Sequence, residues 1–194
     1  MGAGKTTLVR GLSRELDFLA LEERFAENPF LASFYTDPRA WAFKSYVFFL
    51  QRTFADYIRA RSSEEGGVQE RVLQEHLVVF GEEFLARGYI EQAEFDVLSE
   101  LTLSSVDAVR GPDLLLHVDI KPELALSRLR ARATPAERNV ELDYLRSLNE
   151  RYEAMLSEWG GDLLRIDGAS SDFRETSCVI ELAARVRARL NIKV

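Results

Sequence analysis

The sequence predicts an α/β protein in which helices flank a parallel β-sheet. Short apolar runs, each followed by polar residues, alternate along the chain with long segments whose apolar residues recur at helical spacing. Continuous apolar runs of this kind are typical of parallel strands that are buried on both faces. Neither an internal repeat nor a low-complexity tract interrupts the pattern, so residues 1–194 are expected to form a single domain.

The first predicted elements are a helix and a strand near the N-terminus. The helix runs from Lys5 to Leu16, because Leu8, Leu12 and Leu16 lie four residues apart and therefore share one face. The apolar run at 18–22 follows the helix and is predicted to be a buried strand that ends in acidic residues.

The remaining predicted elements continue the alternation. A polar, glycine-containing loop at 62–67 separates the second helix from the second strand, and Gly111-Pro112-Asp113 ends the third helix ahead of the third strand. The further predicted helices span 41–58, 95–109 and 142–156, and the further predicted strands span 67–70, 114–119 and 163–167.

Composition and charge exclude several classes of protein. The chain has 194 residues, 46% hydrophobic and 29% charged, which is enough to bury a core without disulfides or metal staples. A net charge of −7 argues against binding to a nucleic acid polymer, which normally needs a basic surface. The single cysteine, Cys178, fits a reducing cytoplasm. No apolar run approaches the roughly eighteen residues of a membrane span, and no export signal is recognisable, so the expected location is cytoplasmic.

The N-terminus carries the most specific motif. Gly4-Lys5-Thr6 opens a helix and matches the closing triplet of the phosphate-binding loop G-x-x-x-x-G-K-[ST]. Backbone N–H groups at a helix N-terminus bind phosphate oxygens, a lysine here reaches the β- and γ-phosphates, and the threonine hydroxyl holds Mg²⁺. The residues expected to bind the phosphates of ATP are Gly2, Ala3, Gly4, Lys5, Thr6 and Thr7.

The beginning of this loop would lie ahead of Met1. In the motif, the first glycine precedes the closing Gly-Lys pair by five positions, and a central strand leads into it. One interpretation is therefore that the first strand is missing from this chain, through a wrongly chosen start codon or a trimmed sequence. The alternative is a chance match of the triplet at a frayed terminus.

Acidic residues follow the first predicted strand. Glu22 and Glu23 lie just past its end, at the edge where open parallel sheets bind ligands, and a carboxylate there can take a proton from a substrate hydroxyl. Ordinary solvated acids are the alternative interpretation for Glu22 and Glu27.

Several motifs in one order resemble the deoxyribonucleoside kinases, and most closely the bacterial deoxyadenosine/deoxyguanosine kinase branch. The similarity extends over nearly the whole chain. It is carried by residues 2–7, by Glu23, Glu27-Asn28-Pro29-Phe30, Phe34-Tyr35, Asp37-Pro38 and Trp41-Ala42-Phe43, by Glu70-Arg71, by Pro112-Asp113-Leu114 and Val118-Asp119, and by an arginine-rich stretch from Arg128 into Leu142-Asp143-Tyr144-Leu145.

The resemblance implies a P-loop kinase fold with a helical lid at about 128–139, and it implies ATP and Mg²⁺ as cofactors. Glu23 would be the general base for the nucleoside 5′-hydroxyl, Arg71 would contact the 5′-oxygen and the transferring phosphate, and Glu70 would hold Mg²⁺ with Thr6. Lys5 and the lid residues Arg128 and Arg132 would neutralise phosphate charge. Tyr35 and Glu137 would bind the sugar 3′-hydroxyl. Relatives are dimers, so a homodimer is expected.

The chain departs from the family pattern at several positions. Arg24 stands where proline is usual, and Val72 replaces the serine that follows the acid-arginine pair. Tyr46 stands where relatives place a glutamine that pairs with the base, and His76 where they place an aspartate that assists base recognition. Thr134 replaces a third lid arginine. A tyrosine offers one hydroxyl and a ring face instead of a two-pronged amide, so recognition of the base is expected to differ.

The sequence therefore favours a kinase that phosphorylates the 5′-hydroxyl of a deoxyribonucleoside in nucleotide salvage, with purines favoured. Two alternatives remain open at this point. One is a P-loop kinase for another small hydroxyl substrate, and the other is a non-catalytic paralogue that binds a nucleoside or pairs with an active subunit.

Overall fold

The computed structural model describes residues 1–132, 137 and 139–192. Within these ranges the strands form two parallel, two-stranded sheets. Strand β1 (Leu19–Leu21) pairs with β2 (Gly67–Gln69), and β3 (Leu115–Asp119) pairs with β4 (Leu163–Asp167). The prediction of parallel strands in an α/β protein is confirmed, and all four predicted strands lie where the apolar runs placed them.

Helices make up most of the described chain. They are α1 (Lys5–Leu16), α2 (Leu31–Thr36), α3 (Pro38–Ser62), α4 (Leu73–Glu75), α5 (Glu82–Ala86), α6 (Gln92–Ala108), α7 (Pro122–Arg132), α8 (Leu142–Ser157) and α9 (Thr176–Leu190). A π-helical turn, His76–Gly81, joins α4 to α5, and a 3₁₀ turn spans Phe25–Glu27.

Capping residues explain where two of the predicted helices begin. Helix α3 starts earlier than the predicted 41–58, because the Asp37 side chain accepts a hydrogen bond from the Ala40 N–H and Pro38 occupies the first turn. Helix α6 starts three residues before the predicted 95–109, because Glu91 and Glu94 form a reciprocal capping box.

The buried apolar side chains of the described residues form three clusters, of which the smallest joins α7 to α8. Helices α1 and α9 pack together over β4, so that Leu8, Leu12 and Leu16 meet Leu164 and Ile166. A separate aromatic cluster fills the space between α2, α3, α4 and α6, as the aromatic spacing in the second predicted helix indicated. Among the described residues, no helix combines the length and the apolar composition that a membrane crossing requires.

Strands β2 and β3 belong to different sheets. A cavity of about 760 Å³ is lined by residues of both strands.

Candidate active site

The N-terminus of α1 is shaped to receive an anion. Gly4 adopts a left-handed conformation with φ 88° just before the helix, and no side chain caps its first turn. The first N–H groups of an uncapped helix point outward and attract negative charge. Gly2 also has a positive φ, and a Cβ there would lie 2.6 Å from the Ala125 carbonyl oxygen, so only glycine fits beside α7.

Three residues from distant parts of the sequence meet beside this helix end. The Thr6 hydroxyl lies 3.0 and 3.1 Å from the two carboxylate oxygens of Glu70. Glu70 also accepts a hydrogen bond of 3.0 Å from the backbone N–H of Glu23. The Lys5 ammonium lies 3.9 Å from Glu70. The sequence placed Thr6 and Glu70 at one metal site, and the structure brings them into contact.

Glu23 and Arg71 form an ion pair next to this group. Arg71 Nη2 donates to Glu23 Oε2 at 3.0 Å. The strands explain the meeting, because Glu23 follows β1 and Arg71 follows β2, and parallel neighbours end at the same edge of their sheet. Arg71 is buried, and its guanidinium lies over the ring of Phe80 with Cζ 5.1 Å from the ring centroid.

The charges of this cluster set the ionisation of its members. Burial alone would raise the pKa of the Glu23 carboxyl, but the charges of Arg71 and Lys5 and the hydrogen bond from Arg71 lower it to about 2. Burial and the nearby Arg71 charge lower the pKa of Lys5, against the opposing effect of Glu70. Glu23 is therefore an anion at neutral pH, ready to accept a hydrogen bond or a proton.

Two members of the cluster were not singled out from the sequence. The Tyr152 hydroxyl accepts from Arg71 Nη1 at 3.0 Å and donates to Glu75 Oε2 at 2.7 Å, and Glu75 itself lies 3.5 Å from Arg71. The four-residue spacing of Arg71 and Glu75 was the available signal for that pair. Tyr152 was interpreted as one more apolar position of its helix, because its spacing with Leu145 and Leu148 is helical.

Replacing Tyr152 by phenylalanine is expected to destabilise the fold by about 1–3 kcal/mol, since the change leaves two buried charged groups short of one partner each. The free energy of unfolding in urea measures the loss. Tyr144→Phe is the matched control on the same helix, because the Tyr144 ring packs on Arg87 and should tolerate loss of its hydroxyl. Equal stability of the two variants would remove Tyr152 from the network.

Tyr35 is largely buried and lies within reach of the charges of Glu137 and Glu23. Burial raises the pKa of the Tyr35 hydroxyl, and the negative charges of Glu137 and Glu23 raise it further. Glu137 is buried and pairs with Arg132. Binding of the sugar 3′-hydroxyl by Tyr35 and Glu137 stays a prediction.

Tyr46 and His76 lie in the interior, in contact with each other. Tyr46 is 2% and His76 is 4% exposed, and their rings meet edge to face at 5.9 Å. The Tyr46 hydroxyl is hydrogen-bonded to Thr102 at 2.9 Å, and His76 Nε2 is bonded to Thr53 at 2.8 Å. Burial and the Arg71 charge lower the pKa of His76 to about 3, so this imidazole is neutral. Both polar ends are engaged by protein partners, and base recognition by these two residues stays a prediction.

The two assigned lid arginines are each bonded to another protein group. Arg128 Nη2 donates to the Gly168 carbonyl at 2.9 Å, and Arg132 pairs with Glu137. Of the predicted lid at 128–139, residues 133–136 and 138, including Thr134, lie outside the described part of the chain. The lid therefore stays a prediction.

Glu22 and Glu27 each form an ion pair with an arginine outside the cluster. Glu22 pairs with Arg10 at 2.6 and 2.7 Å on the outer face of α1, and Glu27 pairs with Arg52 at 3.4 Å.

A second group of possible metal ligands, His117, Asp119 and Glu153, lies along β3 and α8. Arg165 pairs with Glu153 at 2.5 Å, so its positive charge offsets one of the two carboxylates in this group.

The cluster combines four features that bear on its chemistry. These are a helix end suited to an anion, oxygen ligands of the class that Mg²⁺ prefers, the buried carboxylate of Glu23, and the cations Lys5 and Arg71. Phosphoryl transfer depends on positioning and charge neutralisation more than on covalent catalysis. The arrangement suits transfer of a phosphoryl group to a hydroxyl placed beside Glu23.

Comparison with known proteins also finds similarity to kinases. The family model described as deoxynucleoside kinase matches residues 1–188. The chain is 30% identical over 158 residues to deoxyadenosine kinase of Dictyostelium discoideum, an alignment that covers 81% of this chain and 64% of that protein. It is 29% identical over 181 residues to deoxyguanosine kinase of Bacillus subtilis (strain 168), covering 89% of this chain and 85% of that protein.

A solved structure supports the fold independently. Deoxyadenosine kinase from M. mycoides, determined with products dCMP and a flexible dCDP bound, superposes with a TM-score of 0.80 at 21% identity, over 98% of this chain and 95% of that chain. The P-loop kinase fold expected from the sequence is thereby confirmed. Because the family model extends over residues 1–188, nearly the entire sequence, the chain belongs to the deoxynucleoside kinase family.

Proposed function

We propose that this protein transfers the γ-phosphoryl group of ATP to the 5′-hydroxyl of a deoxyribonucleoside. The observation that carries the proposal is a continuous set of contacts from the phosphate loop to the assigned base. Thr6 bonds Glu70, and Glu70 bonds the Glu23 backbone. The Glu23 carboxylate then pairs with Arg71. The two substrates would meet along this line, ATP at the helix end and the nucleoside at Glu23.

Glu23 orients the 5′-hydroxyl and receives its proton. The bond between the γ-phosphorus and the bridging oxygen of ADP breaks as the bond from the 5′-oxygen forms, and the hydroxyl proton moves to the Glu23 carboxylate. A loose transition state needs little proton transfer before the phosphoryl group arrives, so a weak base suffices. The low pKa of Glu23 keeps the carboxylate ionised throughout the neutral range.

Arg71 and Lys5 stabilise the charge of the transferring group. Arg71 Nε is buried and has no hydrogen-bond partner among the described residues, so the guanidinium retains a donor for a phosphate or 5′-oxygen while its other nitrogens hold Glu23 and Tyr152. Lys5 stands in the first turn of α1 beside Glu70. Such fixed donors are worth more in a buried site than in water.

The oxygen ligands at the loop fit Mg²⁺. Thr6 and Glu70 present a hydroxyl and a carboxylate at hydrogen-bond distance from each other, and Mg²⁺ in kinases is held by one or two such groups together with substrate phosphates. When bound, the ion would neutralise charge on the β- and γ-phosphates. Thr6 and Glu70 are the residues that would hold it.

A purine deoxynucleoside is the favoured acceptor. Both relatives described above are named for purine deoxynucleosides, deoxyadenosine and deoxyguanosine. Recognition of the base by Tyr46 and His76 stays a prediction, since both side chains are almost fully buried and their polar atoms are bonded to Thr102 and Thr53. Nucleotide salvage in the cytoplasm is the corresponding setting, and the single free cysteine, Cys178, is compatible with it.

The test is phosphoryl transfer from labelled ATP with Mg²⁺ to the four common deoxynucleosides. It is run on the chain of residues 1–194 and on a variant with an added N-terminal segment whose glycine completes the pattern G-x-x-x-x-G-K-[ST]. Labelled deoxynucleoside monophosphate, formed faster with deoxyadenosine or deoxyguanosine than with the pyrimidines, is the expected product. Absence of product from both chains would overturn the proposal.

The same assay distinguishes two other functions from the proposed one. Transfer to a ribonucleoside or a nucleoside monophosphate, in place of a deoxynucleoside, would indicate a kinase for another small hydroxyl substrate. Deoxynucleoside binding without turnover in either chain would indicate a non-catalytic paralogue. Arg24 and Val72, which stand beside Glu23 and Arg71 in place of the usual proline and serine, are the residues that favour this last alternative.

A homodimer through α3 and α6 is the proposed assembly. Val97 and Leu101 lie one turn apart on α6 with 55% and 43% of their surface exposed, and Ile58 is exposed on the neighbouring α3. The double variant Val97→Lys, Leu101→Lys is expected to halve the molar mass measured by light scattering after size exclusion. Ile180→Lys, on the exposed face of α9, is the matched control and should leave the mass unchanged. A monomeric parent chain would contradict the proposal.

A further inference from the structure

Two carboxylates hold the guanidinium of Arg71 through different nitrogens. Nη2 donates to Glu23 at 3.0 Å, whereas Nη1 lies 3.5 Å from Glu75 Oε1. Tyr152 completes the Nη1 end, because its hydroxyl accepts from Nη1 at 3.0 Å and donates to Glu75 Oε2 at 2.7 Å. The contacts at Nη1 are therefore independent of those that Glu23 makes at Nη2.

The charge of Glu75 is directed at Arg71. Glu75 is only 5% exposed, and a buried carboxylate is costly unless it is paired. Within the part of the chain that the structure describes, Arg71 is the one cation at ion-pair distance from Glu75, and Tyr152 is its one hydrogen-bond donor. Any effect of this carboxylate on the cluster therefore passes mainly through the guanidinium.

The backbone after β2 brings two of these neighbours to Arg71. Glu75 ends α4 four positions after Arg71, and the π-helical turn His76–Gly81 follows it directly. In a π-helical turn the backbone bonds join residues five positions apart, so Phe80 follows Glu75 by one such turn. The Phe80 ring lies 5.1 Å from Arg71 Cζ. One short segment thus fixes the guanidinium at one end and on one face.

Glu23 alone is a poor anchor for Arg71 during the proposed reaction. Its carboxylate receives the 5′-hydroxyl proton and so loses its charge at the stage when the transferring phosphoryl group needs the guanidinium. Glu75 takes no proton in that reaction, so its charge persists. Burial alone would lower the pKa of Arg71, but the charges of Glu23 and Glu75 raise it well above its usual value.

We propose that Glu75 is a positioning residue for phosphoryl transfer. Together with the Tyr152 hydroxyl it holds Nη1 of Arg71, so that the guanidinium keeps its place when Glu23 is neutralised. Glu75 acts through Arg71 and not by contact with the substrates. The inference rests on the proposed function, because it takes Arg71 as the group that meets the transferring phosphate.

A second buried glutamate provides the matched control. Glu83 is 1% exposed and accepts hydrogen bonds from Ser147 and Arg151 of α8, as Glu75 accepts one from Tyr152 of the same helix. Its ion-pair partners among the described residues, Arg87 and Arg151, do not belong to the cluster. Glu83→Gln should therefore lower stability but leave kcat within about twofold of the parent, since distant sites act independently.

The kinetic experiment is a double-mutant cycle of Glu75→Gln and Arg71→Met, made in the more active of the two chains assayed above. Glu75→Gln is expected to lower kcat about tenfold and to change each KM less than about threefold, the pattern of an interaction needed in the transition state. In the Arg71→Met background the same change should alter kcat less than about twofold, because no guanidinium is left to position. Tyr152→Phe is a second variant at the same nitrogen and should lower kcat in the same way.

A second readout requires no turnover. ¹⁵N NMR of arginine-labelled protein measures rotation about the Nε–Cζ bond of Arg71, whose signals are assigned by their loss in Arg71→Met. Glu75→Gln is expected to speed this rotation at least about tenfold, because Nη1 loses a charged partner. Glu83→Gln should leave the rotation of Arg71 unchanged. The melting temperature of each variant shows that rates and rotation are compared in folded protein.

Three results would overturn the inference. Equal losses of kcat from Glu75→Gln in both backgrounds would mean that Glu75 acts independently of Arg71. A loss of kcat in Glu83→Gln as large as that in Glu75→Gln would mean that any buried carboxylate near α8 has this effect. Unchanged rotation in Glu75→Gln would mean that Glu75 does not hold the guanidinium. Absence of turnover in every chain, with rotation responding as expected, would instead contradict the proposed function and support the hold of Glu75 on Arg71.

Discussion

Replacing Glu23 by glutamine is expected to lower the turnover number of phosphoryl transfer by about 10²–10⁴-fold, the range typical of losing a positioned acid or base. The amide has the same shape but cannot accept the 5′-hydroxyl proton. Nucleoside affinity is expected to change less than about threefold, since Glu23 contributes one of several contacts. Initial rates with labelled ATP and calorimetric titration with the nucleoside measure the two quantities separately.

The pH dependence of stability provides an independent check on Glu23. Its folded-state pKa of about 2 lies below the usual value of 4.5, so ionised Glu23 stabilises the fold above about pH 4.5, and this contribution is lost as the pH falls toward 2. Glu23→Gln removes the contribution. The stability difference between parent and variant, measured in urea, should therefore be constant from pH 6 to 8 and shrink on acidification below pH 4.5.

Glu22→Gln is the matched control for both measurements. Glu22 is the neighbouring residue, but its carboxylate faces outward and pairs with Arg10. Turnover within about twofold of the parent is expected, because this ion pair does not touch the cluster. The free energy of unfolding should also change little, because exposed ion pairs contribute little to stability. If Glu22→Gln slowed the reaction as much as Glu23→Gln, the assignment of the base would be wrong.

Local patterns predicted the elements well where the signal lies within a few residues. The leucines at 8, 12 and 16 marked α1 to the residue, and the run at 163–167 marked β4. Helix α9 was not predicted, although Val179, Leu182, Ala183 and Val186 have helical spacing and are buried in the structure.

Contacts between distant segments were predictable only where a motif specified them. Thr6 and Glu70 were assigned to one metal site from separate motifs, and they are in contact across 64 positions of the chain. Tyr152 lies 81 positions from Arg71, and nothing in its local pattern separates it from a core aromatic, because the partner of a buried hydroxyl is set by tertiary packing. Similarly, the apolar runs of β2 and β3 indicated buried strands but not which edges would pair.

Replacing Lys5 by methionine is expected to lower kcat/KM for ATP by about 10²–10³-fold, the range for removing one fixed donor from a developing negative charge. The change keeps the length and apolar stem of the side chain, and the Lys5–Glu70 distance of 3.9 Å is long for an ion pair, so the fold should lose little stability. Arg10→Met, on the outer face of the same helix, is the matched control, since it removes a cation that pairs only with Glu22 among the described residues. Parent-like kcat/KM in Lys5→Met would exclude Lys5 from phosphate binding and leave the N-terminus of α1 to act through its backbone N–H groups alone.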